Sequence, residues 1–246
     1  VDEEQSEPEY QPIFNVPTSV LIVIGVFVVI HVIRSALPAD ESAWLTLALA
    51  FIPARYTGYA PELPGGEIAS LTSFVTHMAV HGDLTHLAAN SLWLLAFGSL
   101  LARRFGAFGF INFTLITGIV GALFYLMAKY GELIPVIGAS GAVSGHMAGA
   151  LRILFGAMHE GRISDIRDNP GSVPILSLRK MFSDPRIVAV LCLWIIVNYL
   201  FAVTGTELAG GSIAWQAHLG GFLAGLFLIG LFDRQGKYQS PPDPEI

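Results

Sequence analysis

Apolar residues in this chain run in long blocks instead of alternating with polar ones. Six blocks come close to or reach the roughly 20 residues that a helix needs to cross a hydrocarbon core. They are residues 16–33, 84–102, 105–128, 133–151, 187–203 and 212–232. Most are closed by charge: Arg34 after the first, Arg103-Arg104 after the second, Lys129 after the third, Arg152 after the fourth and Asp233-Arg234 after the sixth. In lipid a backbone group finds a partner only within its own segment, so blocks of this length predict helices. The pattern therefore predicts an all-α membrane protein, a bundle of six transmembrane helices over 16–233. An acidic segment, 1–15, precedes it and is expected to be disordered, and a tail, 234–246, follows.

Two connections are long. Residues 38–83 hold a nine-residue apolar piece from Trp44 to Ile52, then Pro53, Pro61, Pro64, Gly65 and Gly66. That piece is too short to span and suits a segment lying in the interface, so this first outer loop is expected to be partly membrane-embedded. Residues 152–186 are polar, with Asp165, Asp168 and Asn169-Pro170-Gly171, and read as a cytoplasmic loop with little structure of its own.

Composition agrees with the blocks. Only 13% of residues are charged and 53% are hydrophobic, with a mean hydropathy of +0.62; a soluble domain carries about 25% charged residues. The net charge of −6 says little about partners, because much of it comes from Asp2, Glu3, Glu4, Glu7 and Glu9. That acidic start lacks the basic n-region of a secretory signal. No basic stripe interleaved with aromatics points to nucleic acid. The single Cys192 excludes an internal disulfide and reads as a packing residue. With six spans, ten Lys and Arg residues fall on the side of both termini and three (Arg34, Arg55, Lys129) on the other. This asymmetry assigns both termini to the cytoplasm. Small size and the lack of a transit peptide favour a bacterial inner membrane over an organelle.

Against this background Ser140, in Gly138-Ala139-Ser140-Gly141, and His218 stand out. Ionisable side chains in hydrocarbon are costly and usually face a partner or a wet cavity. Each residue lies a turn or two inside the outer end of its own span, at matching depth. A serine hydroxyl is a weak nucleophile until a base within hydrogen-bond reach takes its proton. Helices usually pack about 8–10 Å apart, which is wide for such a pair. Glycines narrow the gap: Gly141, Gly145 and Gly149 follow Ser140 at four-residue spacing, and Gly221 and Gly225 share the face of His218. GxxxG patterns alone mean packing, and a lone serine bonds back to its own helix. Their conjunction with a histidine points to a nucleophile and its general base.

The second span carries His77, His81, His86 and Asn90 at its start. His86 and Asn90, four residues apart, share a face and can both donate hydrogen bonds to an oxyanion beside Ser140. His77 and His81 are expected to tie down the first loop. A metal site is disfavoured, because His86 falls off the face of His77 and His81 and no HExxH motif or intramembrane carboxylate accompanies them. His146 points away from the face of Ser140 and is expected to bond within the bundle. His31 and His159, near a span end or in a loop, invite no chemistry.

The set His81, His86-x-x-x-Asn90, Gly138-x-Ser140-Gly141 and His218-x-x-Gly221-x-x-x-Gly225 resembles the rhomboid family of intramembrane serine proteases, over about 77–232. The resemblance implies six helices around a water-filled cavity open to the outer side. Ser140 would attack a peptide carbonyl, with His218 as base and then acid. His86, Asn90 and the Ser140 backbone amide would form the oxyanion hole, with His81, Gly138, Gly141, Gly221 and Gly225 in support. No third acidic member is implied; Glu207, in an outer loop, is the one carboxylate near His218 in sequence. Neither cofactor nor metal is implied. Substrates would be single-span membrane proteins, cut in or near the bilayer. Two departures stand out: Ser144 occupies the position where some members stack a tyrosine under the histidine, and the first loop has Trp44 and, separately, Arg55-Tyr56 in place of a Trp-Arg pair. The competing class is a non-catalytic relative that binds transmembrane segments. A transporter would show inverted repeats, which are absent here.

Overall fold

The computed structural model describes residues 16–204 and 214–233, and within them the regular structure is helical apart from one isolated antiparallel bridge between Phe51 and Val136. Segment 1–15, Glu207 and tail 234–246 lie outside the described residues. The helices are α1 (Thr18–Ala36), α2 (Ala39–Leu49), α3 (Gly66–Thr76), α4 (Leu84–Trp93), α5 (Ser99–Ala128), α6 (Ser140–His159), α7 (Asp165–Asp168), α8 (Leu178–Ser183), α9 (Pro185–Thr204) and α10 (Trp215–Phe232).

Among the described residues, four helical stretches are long and apolar enough to cross a membrane: Thr18–Ala36, Leu84–Ala128, Pro185–Thr204 and Trp215–Phe232. The second contains two of the apolar blocks. In it α4 passes through a wider π-type turn, Leu94–Gly98, into α5, and α5 breaks at Gly106, whose φ of 72° and ψ of 173° a side chain would resist. The break follows Arg103-Arg104, where the sequence separates blocks 84–102 and 105–128.

The block 133–151 differs from expectation. It is not one helix: its first part runs extended, and α6 begins at Ser140 and continues to His159, past Arg152. At 20 residues it is about 30 Å long, yet it is less apolar than the four stretches above, because it is built from Gly, Ala, Ser and His. A helix enclosed by other helices needs small residues more than an oily exterior. Helix α6 is that enclosed helix, packed between α5 and α10.

Glycine is what lets the three backbones meet. A Cβ on Gly221 would collide with the Gly141 carbonyl, and one on Gly225 with the Gly145 carbonyl. On the α5 side, a Cβ on Gly121 would lie 2.7 Å from the Ala217 carbonyl oxygen. The stripes marked in the sequence are thus the contact line between α6 and α10, while Gly121 extends it to a third helix. By contrast α1 and α9 bury only a few side chains each.

Segment 152–186 is also more structured than its polarity suggests. Besides α7 and α8 it contains a single turn at Pro170–Ser172, and two buried arginines hold it to the bundle. Arg104 donates to the carbonyls of Pro170 (2.5 Å) and Val173 (2.7 Å) and pairs with Asp233 at 2.8 Å. Arg152 donates to the Leu176 carbonyl through Nε (2.9 Å) and Nη2 (2.7 Å), and to the Leu226 carbonyl through Nη1 (2.8 Å). The charge that closes the fourth apolar block is thus inside α6, where all three guanidinium nitrogens donate to backbone carbonyls, one in the 152–186 segment and one on α10.

Candidate active site

The segment before α6 decides where Ser140 sits. Val136 exchanges both backbone hydrogen bonds with Phe51 of the first loop (3.0 and 2.8 Å), and the Gly138 amide donates to the His77 carbonyl at 2.9 Å. Gly138 has φ +105°, and a Cβ there would lie 2.5 Å from His86 Nε2. Only glycine combines that backbone turn with that closeness. The chain then enters α6 with Ser140 as its first residue, not a turn or two inside a helix. The first α-helical bond runs from the Val143 amide to the Ala139 carbonyl at 2.9 Å. The amides of Ser140, Gly141 and Ala142 therefore precede the helical ladder, at the positive end of the helix dipole.

Ser140 Oγ lies 2.7 Å from His218 Nε2. His218 Nδ1 lies 3.0 Å from Asn198 Oδ1 on α9, and Asn198 Nδ2 donates to the Trp194 carbonyl at 2.9 Å. This chain of contacts assigns the protons. The Asn198 amide nitrogen is committed to a carbonyl, so its oxygen faces the imidazole and can only accept. Nδ1 therefore carries the hydrogen, Nε2 keeps its lone pair, and the serine hydroxyl donates to it. The sequence reading brought Ser140 and His218 together but left open what holds the histidine; Asn198 was missed. Its signal was available: an amide in an otherwise apolar span is costly without a partner.

Ser144 has no ring to stack under the imidazole. It is buried, and its hydroxyl donates back to the Ser140 carbonyl at 2.8 Å, the local bond typical of a helical serine. His86 and Asn90 both lie on α4. The Asp83 side chain caps that helix by accepting from the His86 amide at 2.8 Å, and this bond holds the Asp83 carboxyl below the ordinary carboxylate range. His86 Nδ1 accepts from the Gly82 amide at 3.4 Å, which leaves its hydrogen on Nε2, the atom facing Gly138. Asn90 is buried and donates one amide hydrogen to the His86 carbonyl at 2.9 Å.

Three other histidines, His77, His81 and His146, are buried. His77 is buried, with Nδ1 2.8 Å from the Ser73 carbonyl, and its own carbonyl receives Gly138; it ties the first loop to the segment leading into α6. His81 is fully enclosed between Phe27 of α1 and His86, with ring centroids 4.9 and 5.1 Å away. His146 Nε2 lies 2.9 Å from Thr114 Oγ1, whose own hydrogen goes to Phe110, so the imidazole donates within the bundle. Among the described residues no cluster of three His, Cys, Asp or Glu side chains could hold a metal. In the first loop Arg55 is a buried staple to the carbonyls of Leu47 and Pro64 (2.7 and 2.8 Å), while Trp44 is exposed.

Residues 69–235, more than half of the chain, match the Rhomboid domain. The chain belongs to the rhomboid family. It is similar to Rhomboid protein 1, mitochondrial, of Saccharomyces cerevisiae, at 28% identity over 163 residues (65% of this chain, 41% of that protein). It is likewise similar to Rhomboid protease AarA of Providencia stuartii, at 28% identity over 149 residues (55% of this chain, 50% of that protein). The chain thus spans half or less of the length of these curated relatives. Membership of the rhomboid family makes it a multi-pass integral membrane protein with a helical bundle, in a family made up mostly of serine proteases.

Proposed function

We propose that this rhomboid protein is an intramembrane serine endopeptidase acting on single-span membrane proteins in or near their transmembrane segment. The observation that carries the reading is the 2.7 Å contact between Ser140 Oγ and His218 Nε2, made across two helices that glycines bring into backbone contact. His218 takes the Ser140 proton as Oγ attacks the carbonyl carbon, then returns it to the leaving amine; water repeats the steps in reverse order on the acyl-enzyme. The tetrahedral oxyanion is held by the Ser140 amide at the start of α6, by His86 Nε2–H and by the free hydrogen of the Asn90 amide. His81 backs His86, and Gly138, Gly141, Gly221 and Gly225 permit the close approaches. No cofactor or metal takes part.

Residues 16–233 form the protease core in this reading. Its six crossings are α1, the two arms of Leu84–Ala128, α6, α9 and α10. Helix α2, with Trp44 exposed, lies in the outer interface, and both termini and segment 152–186 face the cytoplasm of a bacterial cell. A substrate helix enters beside α9, the crossing with little buried surface besides α1, and unwinds where polar groups can satisfy its backbone.

The test is a model single-span substrate incubated in liposomes with the wild-type chain and with Ser140→Ala. Cleavage by the wild type alone is expected. If both leave the substrate intact across several lipid compositions, the protein is a binder of transmembrane segments and not a protease. Replacing either oxyanion donor, His86→Ala or Asn90→Ala, is expected to lower kcat by about 10–1000-fold while thermal unfolding in detergent stays near that of the wild type. Full activity in both variants would remove them from the oxyanion hole.

A further inference from the structure

Helix α9 faces the bundle along one narrow stripe. Ile187 and Leu191 are buried and Trp194 and Asn198 are half-buried, at spacings of four, three and four, while the residues from Ile195 to Val197 and from Tyr199 to Phe201 are exposed. Asn198 is the one amide side chain on that stripe. Its surroundings fix it in place: Trp194 stacks on Phe222 of α10 with ring centroids 4.0 Å apart, and Tyr199 meets Trp215 edge-on at 5.5 Å. Between these two aromatic contacts the amide reaches His218 Nδ1.

We infer that Asn198 is the positioning residue of the site, the neutral third member of a Ser140–His218–Asn198 relay. The inference rests on the protease reading and adds to it what makes His218 a base. An imidazole free to choose its tautomer presents a lone pair to the serine only part of the time, and one free to rotate presents it in many directions. A carbonyl oxygen on Nδ1–H removes both freedoms, the task that an aspartate or asparagine performs in soluble Ser-His-Asp and Cys-His-Asn sites. A neutral amide suits a lipid-embedded position, because it supplies the acceptor without a buried carboxylate charge. It also places the third member on α9, a different helix from either partner, so the seat of α9 against α10 is part of the catalytic geometry.

The experiment uses the full chain in liposomes with the model substrate, comparing wild type, Ser140→Ala, Asn198→Leu and Asn198→Asp. Leucine keeps the volume and removes the acceptor. Asn198→Leu is expected to lower kcat by about 10- to 1000-fold with KM within about twofold, and to slow labelling of Ser140 by a fluorophosphonate probe to a similar degree. Asn198→Asp restores an acceptor, so it is expected to recover most of the activity. Its carboxylate favours the imidazolium, so the acidic limb of the kcat/KM profile should move to higher pH. A residue that merely packs would produce neither the recovery nor the moved limb. Wild-type kcat in Asn198→Leu, or an unmoved acidic limb in Asn198→Asp, overturns the inference while Ser140→Ala still upholds the protease. A wild type that leaves the substrate whole overturns both.

Discussion

His218→Ala is expected to lower substrate cleavage by more than about 10³-fold and to abolish labelling of Ser140 by a fluorophosphonate probe. The base supplies general catalysis worth about 10²–10⁴-fold, and members of such a dyad act as a unit, so losing one costs nearly as much as losing both. Among the described residues, no other side chain hydrogen-bonds to Ser140 Oγ and could take over. The change removes an imidazole from the first turn of α10 and leaves the glycine contacts between α6 and α10 untouched, so the variant should still fold. The measurement pairs cleavage with the rate of probe attachment in the same liposomes. Labelling at the wild-type rate would show that another group activates the serine, and the dyad would have to be reassigned.

Gly221→Val is expected to be the most damaging substitution among those that replace no reacting group. The new Cβ would collide with the Gly141 carbonyl, and the valine adds two methyl groups beyond it. Side chains can turn away from an intruder, but here the obstacle is backbone on a helix enclosed by α5 and α10. Overpacking commonly costs about 1–3 kcal/mol, and more where neighbours have no room to relax. The only relief is to part α6 from α10, and those helices carry Ser140, next to Gly141, and His218, one turn from Gly221. Stability and activity should therefore fall together, read as a lower unfolding temperature in detergent and a loss of cleavage. Gly230→Val is the control: it lies further along α10, where a Cβ meets nothing within 4 Å, and both quantities should stay near wild type. Equal behaviour of the two variants would mean that the close approach of α6 and α10 is not what holds the site together.

Several features of this molecule can be read from residue types and spacing. Apolar blocks name the stretches that lie in lipid because water has no place there and the backbone must close on itself. Glycines at four-residue spacing beside Ser140 and His218 announce a close helix pair, since small residues recurring along one face let two backbones approach. The placement of Ser140 was harder to foresee. An apolar run cannot distinguish an extended entry from a helical one, and the entry from Ile134 to Gly138 is set by a backbone bridge to Phe51, more than eighty residues earlier.

Arg104 and Arg152 show the same limit. In sequence each is a charge that ends an apolar block; in the fold each is buried, satisfied by carbonyls and, for Arg104, by Asp233 at the far end of the chain. Asn198 lies twenty residues before His218, on another helix. Polarity and periodicity are local and survive in one dimension, so the sequence by itself determined that long apolar stretches form a helical membrane bundle, that Ser140 and His218 are candidates for chemistry and that their helices can touch. Only the tertiary structure decided that the serine opens a helix, which amide orients the histidine and where the arginines go. Those outcomes depend on which distant backbone groups are left to be satisfied once the helices have packed.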